Sequence, residues 1–374
     1  MSDEAPARRM IFHAPYPLDP GATSASGIRP VRMRRAFERA GYEVFEITGD
    51  SRERRRLIAE AKRRIEAGER FDFVYAESST MPAFMTDRDH LPRHPLLDAS
   101  FFRWCERRGL RVGLFYRDIY WRFPIYAESV RWPLSVVMRA LYRWELRQYR
   151  RAGVTVFLPS LEMAERVPII PAERFAELPP GGDVAPAPAA ATSDEDRAAA
   201  PLRLLYVGGL GSNYRLLESV REIAAAPGVE LTICTRPGEW ERHRAEYEPV
   251  MGDRVHVVHR SGDELAALYA EADACLLAVE PIVYWGFAVP MKLVEYIGFG
   301  KPVIASDGTY SARFVREQGV GWVVDYGSGQ LIDLLAALIE EPQELAARTA
   351  RVESVRGEHS WEARARQAAA VLGA

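Results

Sequence analysis

A helix that leads into a buried strand can be read in residues 285–307, Trp-Gly-Phe-Ala-Val-Pro-Met-Lys-Leu-Val-Glu-Tyr-Ile-Gly-Phe-Gly-Lys-Pro-Val-Ile-Ala-Ser-Asp. Pro290 suits the first turn of a helix, where its missing N–H costs no hydrogen bond. Gly298 and Gly300 predict the end of that helix, and the apolar run at 302–305 predicts the next strand. The stretch therefore indicates the helix-then-strand part of a βαβ unit.

The same alternation continues on both sides of this stretch. Strands are predicted at residues 10–13, 42–47, 71–75, 112–116 and 154–158, and then at 202–207, 229–234, 255–258, 274–278, 302–305 and 321–324. Helical patterns lie between them, for example at 31–40 and 52–69, which predicts α/β architecture with mostly parallel sheets covered on both faces. We expect two doubly wound Rossmann-like domains that face each other across a cleft, with ligands beyond the carboxyl ends of the strands.

A low-complexity segment at residues 179–201 separates the two predicted domains. It is rich in Pro, Ala and small polar residues, and such a segment buries little apolar surface and is typical of a linker. The predicted division is therefore a first domain at 1–178, a linker at 179–201 and a second domain that begins at 202.

The composition is that of an ordinary globular chain. The 374 residues are 48% apolar and 27% charged, with a net charge of −3, which excludes a disordered tail, a collagen-like repeat and a disulfide-stapled miniprotein. No apolar run reaches the roughly 18 residues that a membrane span needs, and residues 1–10 lack the apolar core of a secretion signal. The three cysteines are far apart, so neither disulfides nor a zinc site is indicated. We expect a soluble, cytoplasmic protein.

The start of the helix at Pro290 is a candidate anion-binding site. The first N–H groups of a helix lack helical partners and lie at the positive end of its dipole, which together favour a phosphate. Lys292 lies in the first turn, and Glu295 follows on the same face. A carboxylate at that position can accept hydrogen bonds from the vicinal diol of a ribose. The alternative is that Lys292 and Glu295 form only a surface ion pair.

This region resembles the donor-sugar region of GT-B-fold glycosyltransferases, especially family-4-like enzymes (glycosyl transferases group 1), whose segment reads P-x-K-L-x-E-Y…G-K-P-V-I-A. Further similar segments are the Pro-Pro-Gly-Gly-Asp at 179–183, the glycine loop at 206–211, the helix-to-strand stretch at 264–277 and the Ser-Trp pair at 360–361. The likeness is specific over about residues 200–365 and schematic over 1–178.

The resemblance implies that the second domain, residues 202–358, binds a UDP-, GDP- or dTDP-sugar, and that a final helix at 359–374 crosses back to the first domain. The donor-binding residues by this likeness are Gly27, Arg29, Gly209, Leu210, Gly211, Arg215, Arg236, His259, Arg260, Pro290, Met291, Lys292, Leu293 and Glu295. Lys292 and the glycine loop would hold the diphosphate, Glu295 the ribose, and the region of His259 the base. No metal is implied, and no cofactor other than the nucleotide-sugar co-substrate.

The sequence departs from the family pattern at two places. Many relatives carry an Arg and a Lys after the glycine loop, whereas residues 212–215 read Ser-Asn-Tyr-Arg here, so Arg215 is a partial substitute. Relatives also carry a first Glu eight residues before the second, and Phe287 occupies that position here. A dinucleotide fingerprint is the alternative for the glycine loop, but Tyr214 stands where its third glycine belongs, which argues against a nicotinamide enzyme.

The first domain is expected to bind the acceptor and to supply a base that takes the proton of the acceptor hydroxyl. Candidates at predicted strand ends are Asp118 as the first choice, Glu77 as the second, and His13. The alternatives are that Asp118 caps a following helix or pairs with Arg117, and that His13 is a satisfied loop histidine.

A loop rich in Gly, Pro and Ser is predicted at residues 20–30, between a strand and a helix. It is similar to the loop that approaches the donor phosphate in GT-B enzymes. Gly27 would allow close approach of the backbone, and Arg29 would bind a phosphate through two N–H groups. The alternative is a flexible surface loop.

A basic, aromatic helix is predicted at residues 131–151. Arg139, Arg143, Arg147 and Arg151 recur every four residues and form one stripe. Such a helix can lie on anionic lipids, which would suit a lipid-linked acceptor at the inner face of the membrane. The alternative is a solvated helix face, and no recognised nucleic-acid motif accompanies the arginines.

Together these features predict a metal-independent glycosyltransferase of hexosyl type that moves a sugar from a nucleotide-diphosphate donor to a cell-surface glycan or lipid-linked acceptor, as polysaccharide biosynthesis requires. Two alternatives stay open. A nucleotide-sugar epimerase of the same fold would use carboxylates around the donor and no acceptor. A catalytically silent, glycosyltransferase-like binding partner would tolerate the missing first Glu.

Overall fold

The computed structural model describes residues 8–22, 24–123, 126, 130–186, 200–211 and 214–373. Contacts divide the chain into two compact units, Met1–Pro180 together with Trp361–Ala374, and Gly181–Ser360. The C-terminal residues thus group with the first unit. Of the predicted linker, residues 187–199 lie outside the described part of the chain.

The first unit is built on one sheet of six parallel strands. The strands are β1 Arg9–His13, β2 Glu43–Ile47, β3 Phe73–Glu77, β4 Val112–Phe115, β5 Thr155–Leu158 and β6 Phe175–Glu177. Their order is β2-β1-β3-β4-β5-β6, and the five predicted strands are confirmed. β3 lies two residues later than predicted, which makes Glu77 its last residue. β6 carries too short an apolar pattern to be predicted.

Helices join these strands and cover the core of the first unit. They include α1 Ala25–Arg39, α2 Ser51–Glu66, α3 Leu97–Glu106 and α4 Leu134–Ala152. Phe37 of α1 packs on Phe73 and Tyr75 of β3, with ring centroids 5.7 and 5.1 Å apart. All three rings are fully buried, and burial of each such side chain stabilises the fold by about 2–3 kcal/mol.

Helix α1 begins six residues earlier than predicted, so the loop predicted at 20–30 is wrong in its second half. Gly27, Arg29 and Pro30 all lie within α1. Pro30 has no N–H to donate to the Ser26 carbonyl four residues before it. The Arg117 guanidinium donates to that carbonyl instead, at 3.0 Å. A contact from a distant strand end therefore allows a helix that the local sequence argues against.

The second unit is built on another sheet of six parallel strands. The strands are β7 Leu202–Val207, β8 Val229–Cys234, β9 Val255–Val258, β10 Ala274–Leu277, β11 Val303–Ser306 and β12 Gly321–Val324. Their order is β12-β11-β10-β7-β8-β9, and all six predicted strands are confirmed. The helices are α5 Leu217–Ala225, α6 Pro237–Tyr247, α7 Leu265–Glu271, α8 Met291–Gly298, α9 Tyr310–Gln318, α10 Gln330–Glu340 and α11 Pro342–Val355.

The strand order reverses beside the first strand of each sheet. β1 lies between β2 and β3, and β7 lies between β8 and β10. Parallel α/β sheets bind ligands outside the carboxyl ends of their strands at such a switch point. A ligand is therefore expected near the loops after β1 and β3 in the first unit, and near those after β7 and β10 in the second.

The helix predicted after Pro290 is confirmed as α8, which has Pro290 as its N-cap residue. Gly298 closes the helix against residue 183. A Cβ at Gly298 would lie 2.2 Å from the Asp183 carbonyl oxygen, so only glycine permits this approach. Most side chains of α8 are buried, which fixes its first turn relative to the sheet.

The final helix, α12 Trp361–Val371, packs along α1 in the first unit. Trp361 is buried, and Glu362 pairs with Arg39 of α1. These contacts anchor the C-terminal segment to the unit that contains the first strand.

Candidate functional site

The first turn of α8 presents a helix N-terminus with a buried cation beside it. Lys292 is only 9% exposed, so its interpretation as half of a surface ion pair is wrong. Its ammonium donates to the Tyr206 hydroxyl at 2.8 Å. It also lies 3.6 Å from the ring centroid of Tyr214 and 4.3 Å from that of Tyr206, where aromatic faces attract a cation.

Burial lowers the pKa of Lys292 to about 7, and the Glu295 carboxylate offsets this effect only in part. A buried ammonium that titrates near neutrality gains strongly from an incoming anion, since the anion restores the charged form. Lys292 is therefore the side chain best suited to hold a phosphate in this unit.

The other candidates on α8 differ in what they can contact. The Leu293 side chain is fully buried in the core of the second unit, and its N–H donates to the Pro290 carbonyl at 3.1 Å. Its predicted role as a donor contact is thus corrected to a packing role. Met291 and Glu295 are partly exposed. The Glu295 carboxylate lies near the buried Tyr269 phenol, whose pKa both burial and this carboxylate raise.

The glycine loop after β7 lies directly against Lys292. Gly208 has a φ of +150°, and a Cβ there would lie 2.2 Å from the Lys292 ammonium, so glycine is required. The Gly208 N–H donates to the Cys234 carbonyl at 2.9 Å. Gly209 and Gly211 flank Leu210, whose side chain is buried.

Glu239, in the first turn of α6, occupies the N–H groups of this loop. Its Oε1 accepts from the N–H of Leu210 at 3.2 Å and of Gly211 at 3.1 Å. The loop was expected to offer these groups to a diphosphate, and in this structure a carboxylate of the chain takes them. Sequence reasoning missed Glu239, although an acid in the first turn after β8 is a detectable signal.

The basic residues expected around the nucleotide are engaged to different degrees. Arg215 pairs with Glu246 and lies 3.7 Å from Glu280. These two surface contacts with carboxylates favour a structural role for Arg215 over its expected role as a substitute phosphate ligand, which stays a prediction. Arg236 precedes α6 at the end of β8 and is exposed.

His259 and Arg260 follow β9, the neighbour of β8. His259 Nδ1 lies 2.8 Å from the Thr235 carbonyl oxygen, and Arg260 pairs with Glu264 at 3.1 Å. Both residues are exposed. The structure thus brings the residues expected beside the base to two adjacent strand ends.

Asp118 follows β4 in the first unit and is partly exposed. Desolvation raises the pKa of its carboxyl to about 6. Its Oδ1 accepts from the Tyr120 N–H at 3.4 Å, but the N-cap residue of the short turn Tyr120–Arg122 is Ile119, so Asp118 is not a helix cap. A carboxylate whose pKa lies close to the working pH and that is reachable from solvent is suited to act as a general base.

Arg117 lies close enough for its charge to lower the pKa of the Asp118 carboxyl, against the larger effect of desolvation, but its side chain contacts other residues. Its Nη2 donates to the Tyr16 hydroxyl at 2.5 Å, and it lies 3.8 Å from Glu77. The alternative in which Asp118 is neutralised by an ion pair with its neighbour is therefore not supported by these contacts.

Glu77 and Arg29 are buried and form an ion pair with each other. Arg29 Nε lies 3.3 Å from Glu77 Oε1, and the Tyr75 hydroxyl donates to the same oxygen at 2.8 Å. The Arg29 guanidinium also stacks 3.3 Å from the Phe115 ring centroid. The expected roles, a base for Glu77 and a phosphate ligand for Arg29, are corrected to an internal ion pair. Gly27 packs against residue 22, where a Cβ would clash.

His13 is also a core residue rather than a substrate contact. Its Nε2 lies 2.8 Å from Asp98 Oδ1, and Arg54 binds both oxygens of the same carboxylate at 3.0 and 3.2 Å. Burial would raise the pKa of Asp98, but its contacts with His13 and Arg54 hold it down at about 2. Breaking such a buried pair costs about 3–5 kcal/mol, so the cluster is structural.

Within the described ranges, no group of three His, Cys, Asp or Glu side chains is placed to hold a metal ion. Among the helices that the structure describes, none combines the length and the apolar character that a membrane crossing needs.

Residues 201–341 match the family model described as glycosyl transferases group 1. Sucrose-phosphate synthase from Thermosynechococcus elongatus has a similar structure, with a TM-score of 0.63 and 18% identity over 97% of this chain and 98% of that chain. The resemblance to GT-B glycosyltransferases is confirmed.

Other solved structures share the GT-B fold with this chain at low identity. Anabaena HepE in complex with UDP matches with a TM-score of 0.63 and 14% identity, over 97% of this chain and 99% of that chain. A glycosyltransferase from Rickettsia africae matches with a TM-score of 0.63 and 13% identity, over 98% of each chain. A comparison with curated proteins finds no match.

Proposed function

We propose that this protein is a glycosyltransferase that takes a hexosyl group from a nucleoside-diphosphate sugar. The observation that carries the proposal is Lys292, a buried ammonium in the first turn of α8 that lies against the glycine loop. A diphosphate placed there meets the ammonium, the free N–H groups of the helix and its positive dipole end. The GT-B fold and the group 1 family match support the same reading.

The nucleoside is held by residues on either side of this anion site. Glu295, one turn further along α8, would accept hydrogen bonds from the ribose hydroxyls. The base would lie against the ends of β8 and β9, near His259 and Arg260. Among the candidate donors we favour a UDP-sugar, because the similar HepE has been solved with UDP and with UDP-glucose.

In the proposed reaction, Asp118 of the first unit takes the proton of an acceptor hydroxyl. The hydroxyl oxygen then bonds to the anomeric carbon of the donor, and the bond between that carbon and the diphosphate oxygen breaks. Negative charge develops on the departing diphosphate. Lys292 and the N-terminus of α8 stabilise it, which is an electrostatic contribution that needs no metal ion.

Replacement of Glu295 tests the nucleotide site. Glu295→Ala is expected to weaken UDP binding by about tenfold or more, because hydrogen bonds to a charged acceptor contribute about 1.5–3 kcal/mol. Calorimetric titration with UDP, GDP and dTDP measures this loss and identifies the nucleotide. Glu317→Ala, an exposed change on α9, is the control and should bind like the unchanged protein. Equal affinity of the Glu295→Ala variant would remove this residue from the site.

We further propose that α4 brings the protein to the inner membrane face, where a lipid-linked acceptor would be found. Ahead of and within its first turn, Trp132 is 80% exposed, and Leu134, Val136 and Val137 are each more than half exposed. Of the predicted arginine stripe, Arg147 and Arg151 are exposed and the other two are partly buried. A helix that exposes apolar side chains at its start and arginines towards its end suits an anionic lipid surface.

Vesicle binding tests this surface. The protein is expected to float with vesicles that contain phosphatidylglycerol and less with phosphatidylcholine alone, since each arginine near an anionic surface contributes about 1 kcal/mol. Trp132→Ala should reduce binding about tenfold through lost apolar burial. Leu161→Ala removes a half-exposed apolar residue of the same unit outside α4 and should have no effect. Equal flotation of both variants would contradict the assignment.

A further inference from the structure

The glycine loop of the second unit holds an anion that belongs to the protein itself. One oxygen of Glu239 accepts from two successive N–H groups, those of Leu210 and Gly211, at 3.2 and 3.1 Å. The carboxylate packs closely on the loop, since Cβ atoms at Gly209 and Gly211 would lie 3.2 and 3.3 Å from it. Two converging N–H groups and an absence of side chains form a built anion site.

The same loop contacts Lys292 on its other side. The Tyr206 hydroxyl donates to the Gly209 carbonyl at 2.5 Å and accepts from the Lys292 ammonium at 2.8 Å. Lys292 lies against Gly208 while Glu239 lies against the next residue, Gly209. The cation and the N–H donors are thus parts of one continuous surface, and a carboxylate of the chain occupies the donor part.

The Glu239 carboxylate also has partners outside the loop. Its other oxygen, Oε2, accepts from Arg242 at 2.6 Å, and His243 lies 3.8 Å from Oε1. Both partners follow Glu239 on α6. Arg242 is largely exposed, whereas the His243 imidazole lies against the loop, since a Cβ at Gly211 would be 3.5 Å from its Nε2. The carboxylate can therefore leave the loop and keep a charged partner.

We propose that the Glu239 carboxylate competes with phosphate for the N–H groups of the glycine loop, and that the diphosphate of the donor displaces Glu239 from them. This inference rests on the proposed function. Two anions cannot share the same N–H groups, and a carboxylate left in place would repel the diphosphate. Displacement makes Leu210 and Gly211 available, so that the loop and Lys292 act together on one ligand. A ligand with little negative charge would then not displace Glu239 from the loop.

The competing explanation is that Glu239 only holds the loop in shape. The two explanations predict changes of opposite sign in UDP affinity when Glu239 is replaced. A residue that shapes the loop supports UDP binding, whereas a competitor opposes it. Glu239→Gln keeps the size and acceptor oxygen of the side chain and removes its charge. Glu239→Ala removes both the charge and the hydrogen bonds. The matched control is Glu241→Gln, which makes the same charge change on the same helix at an exposed position.

The test is calorimetric titration of the full chain and these three variants with UDP at one pH and salt concentration. We expect both Glu239 variants to bind UDP about tenfold more tightly than the unchanged protein, a coupling of ordinary size, and Glu241→Gln to match the unchanged protein. Unchanged or weaker binding by both Glu239 variants, with UDP still bound by the unchanged protein, would overturn this inference and leave the proposed function standing. If neither the unchanged protein nor any variant binds UDP, GDP or dTDP, the proposed function and this inference are both wrong.

Discussion

Asp118→Asn is expected to lower turnover by about 10²–10⁴-fold, the contribution that a positioned general base usually makes. The amide keeps the size of the side chain but cannot take a proton from the acceptor hydroxyl. Nucleotide binding should be unchanged, since the donor is assigned to the second unit. Initial rates of sugar transfer and a parallel UDP titration measure the two quantities separately.

The pH dependence of turnover supplies a second test of the same base. The raised pKa of Asp118, about 6, means that the carboxylate is mostly protonated below pH 6 and inactive as a base. Turnover should therefore fall as the pH drops through 6. Asp89→Asn, an exposed change in the same unit, is the control and should keep both the rate and the profile. Near-native turnover of Asp118→Asn would show that another group takes the proton.

Lys292→Met is expected to weaken UDP binding by about 10- to 100-fold, the effect of losing a charge-assisted hydrogen bond to the diphosphate. The fold should persist, because the change removes a buried charge and keeps an unbranched apolar chain of similar length. Arg215→Gln is the control. The Arg215 guanidinium already contacts two carboxylates, so the Arg215→Gln protein should bind UDP with nearly unchanged affinity.

The lowered pKa of Lys292 also predicts how UDP affinity depends on pH. Below about pH 7 the ammonium is already charged, whereas above it the protein must take up a proton in order to bind the anion. UDP affinity should thus fall as the pH rises from 7 to 9, approaching about tenfold per pH unit, and the dependence should vanish in Lys292→Met. A flat profile in the unchanged protein would mean that Lys292 does not contact the diphosphate.

The second unit follows the sequence more closely than the first. Its strands and the helix after Pro290 have long apolar patterns bounded by Pro and Gly, and those signals are local. The placement of Lys292 and Glu295 on one helix therefore followed from spacing alone.

The polar candidates of the first unit were harder to predict, because successive strand residues point to opposite faces. Glu77 was placed beyond its strand but is the last residue of β3, where it meets Arg29. His13 ends β1 and points to Asp98 in the core. The end of β3 lies two residues later than predicted, which is within the usual uncertainty of an element boundary. This shift makes Glu77 a buried partner of Arg29 instead of a base.

Contacts between distant segments account for the remaining differences. Helix α1 starts early because Arg117, 91 residues after Ser26, satisfies a carbonyl that Pro30 cannot. Glu239 reaches the glycine loop across 28 and 29 residues of sequence. An acid in the first turn of α6 is visible in the sequence, but the partner of each contact is revealed only by the folded chain.

We propose that a diphosphate binds where α8 begins, with Glu295 on the adjoining ribose. A crystal structure of the protein soaked with UDP tests it most directly. We predict phosphate density within hydrogen-bond distance of the Lys292 ammonium and the first N–H groups of α8, and ribose hydroxyls on the Glu295 carboxylate. Density for UDP at any other place in the second unit, or a Glu295 carboxylate turned away from the ribose, would contradict the account.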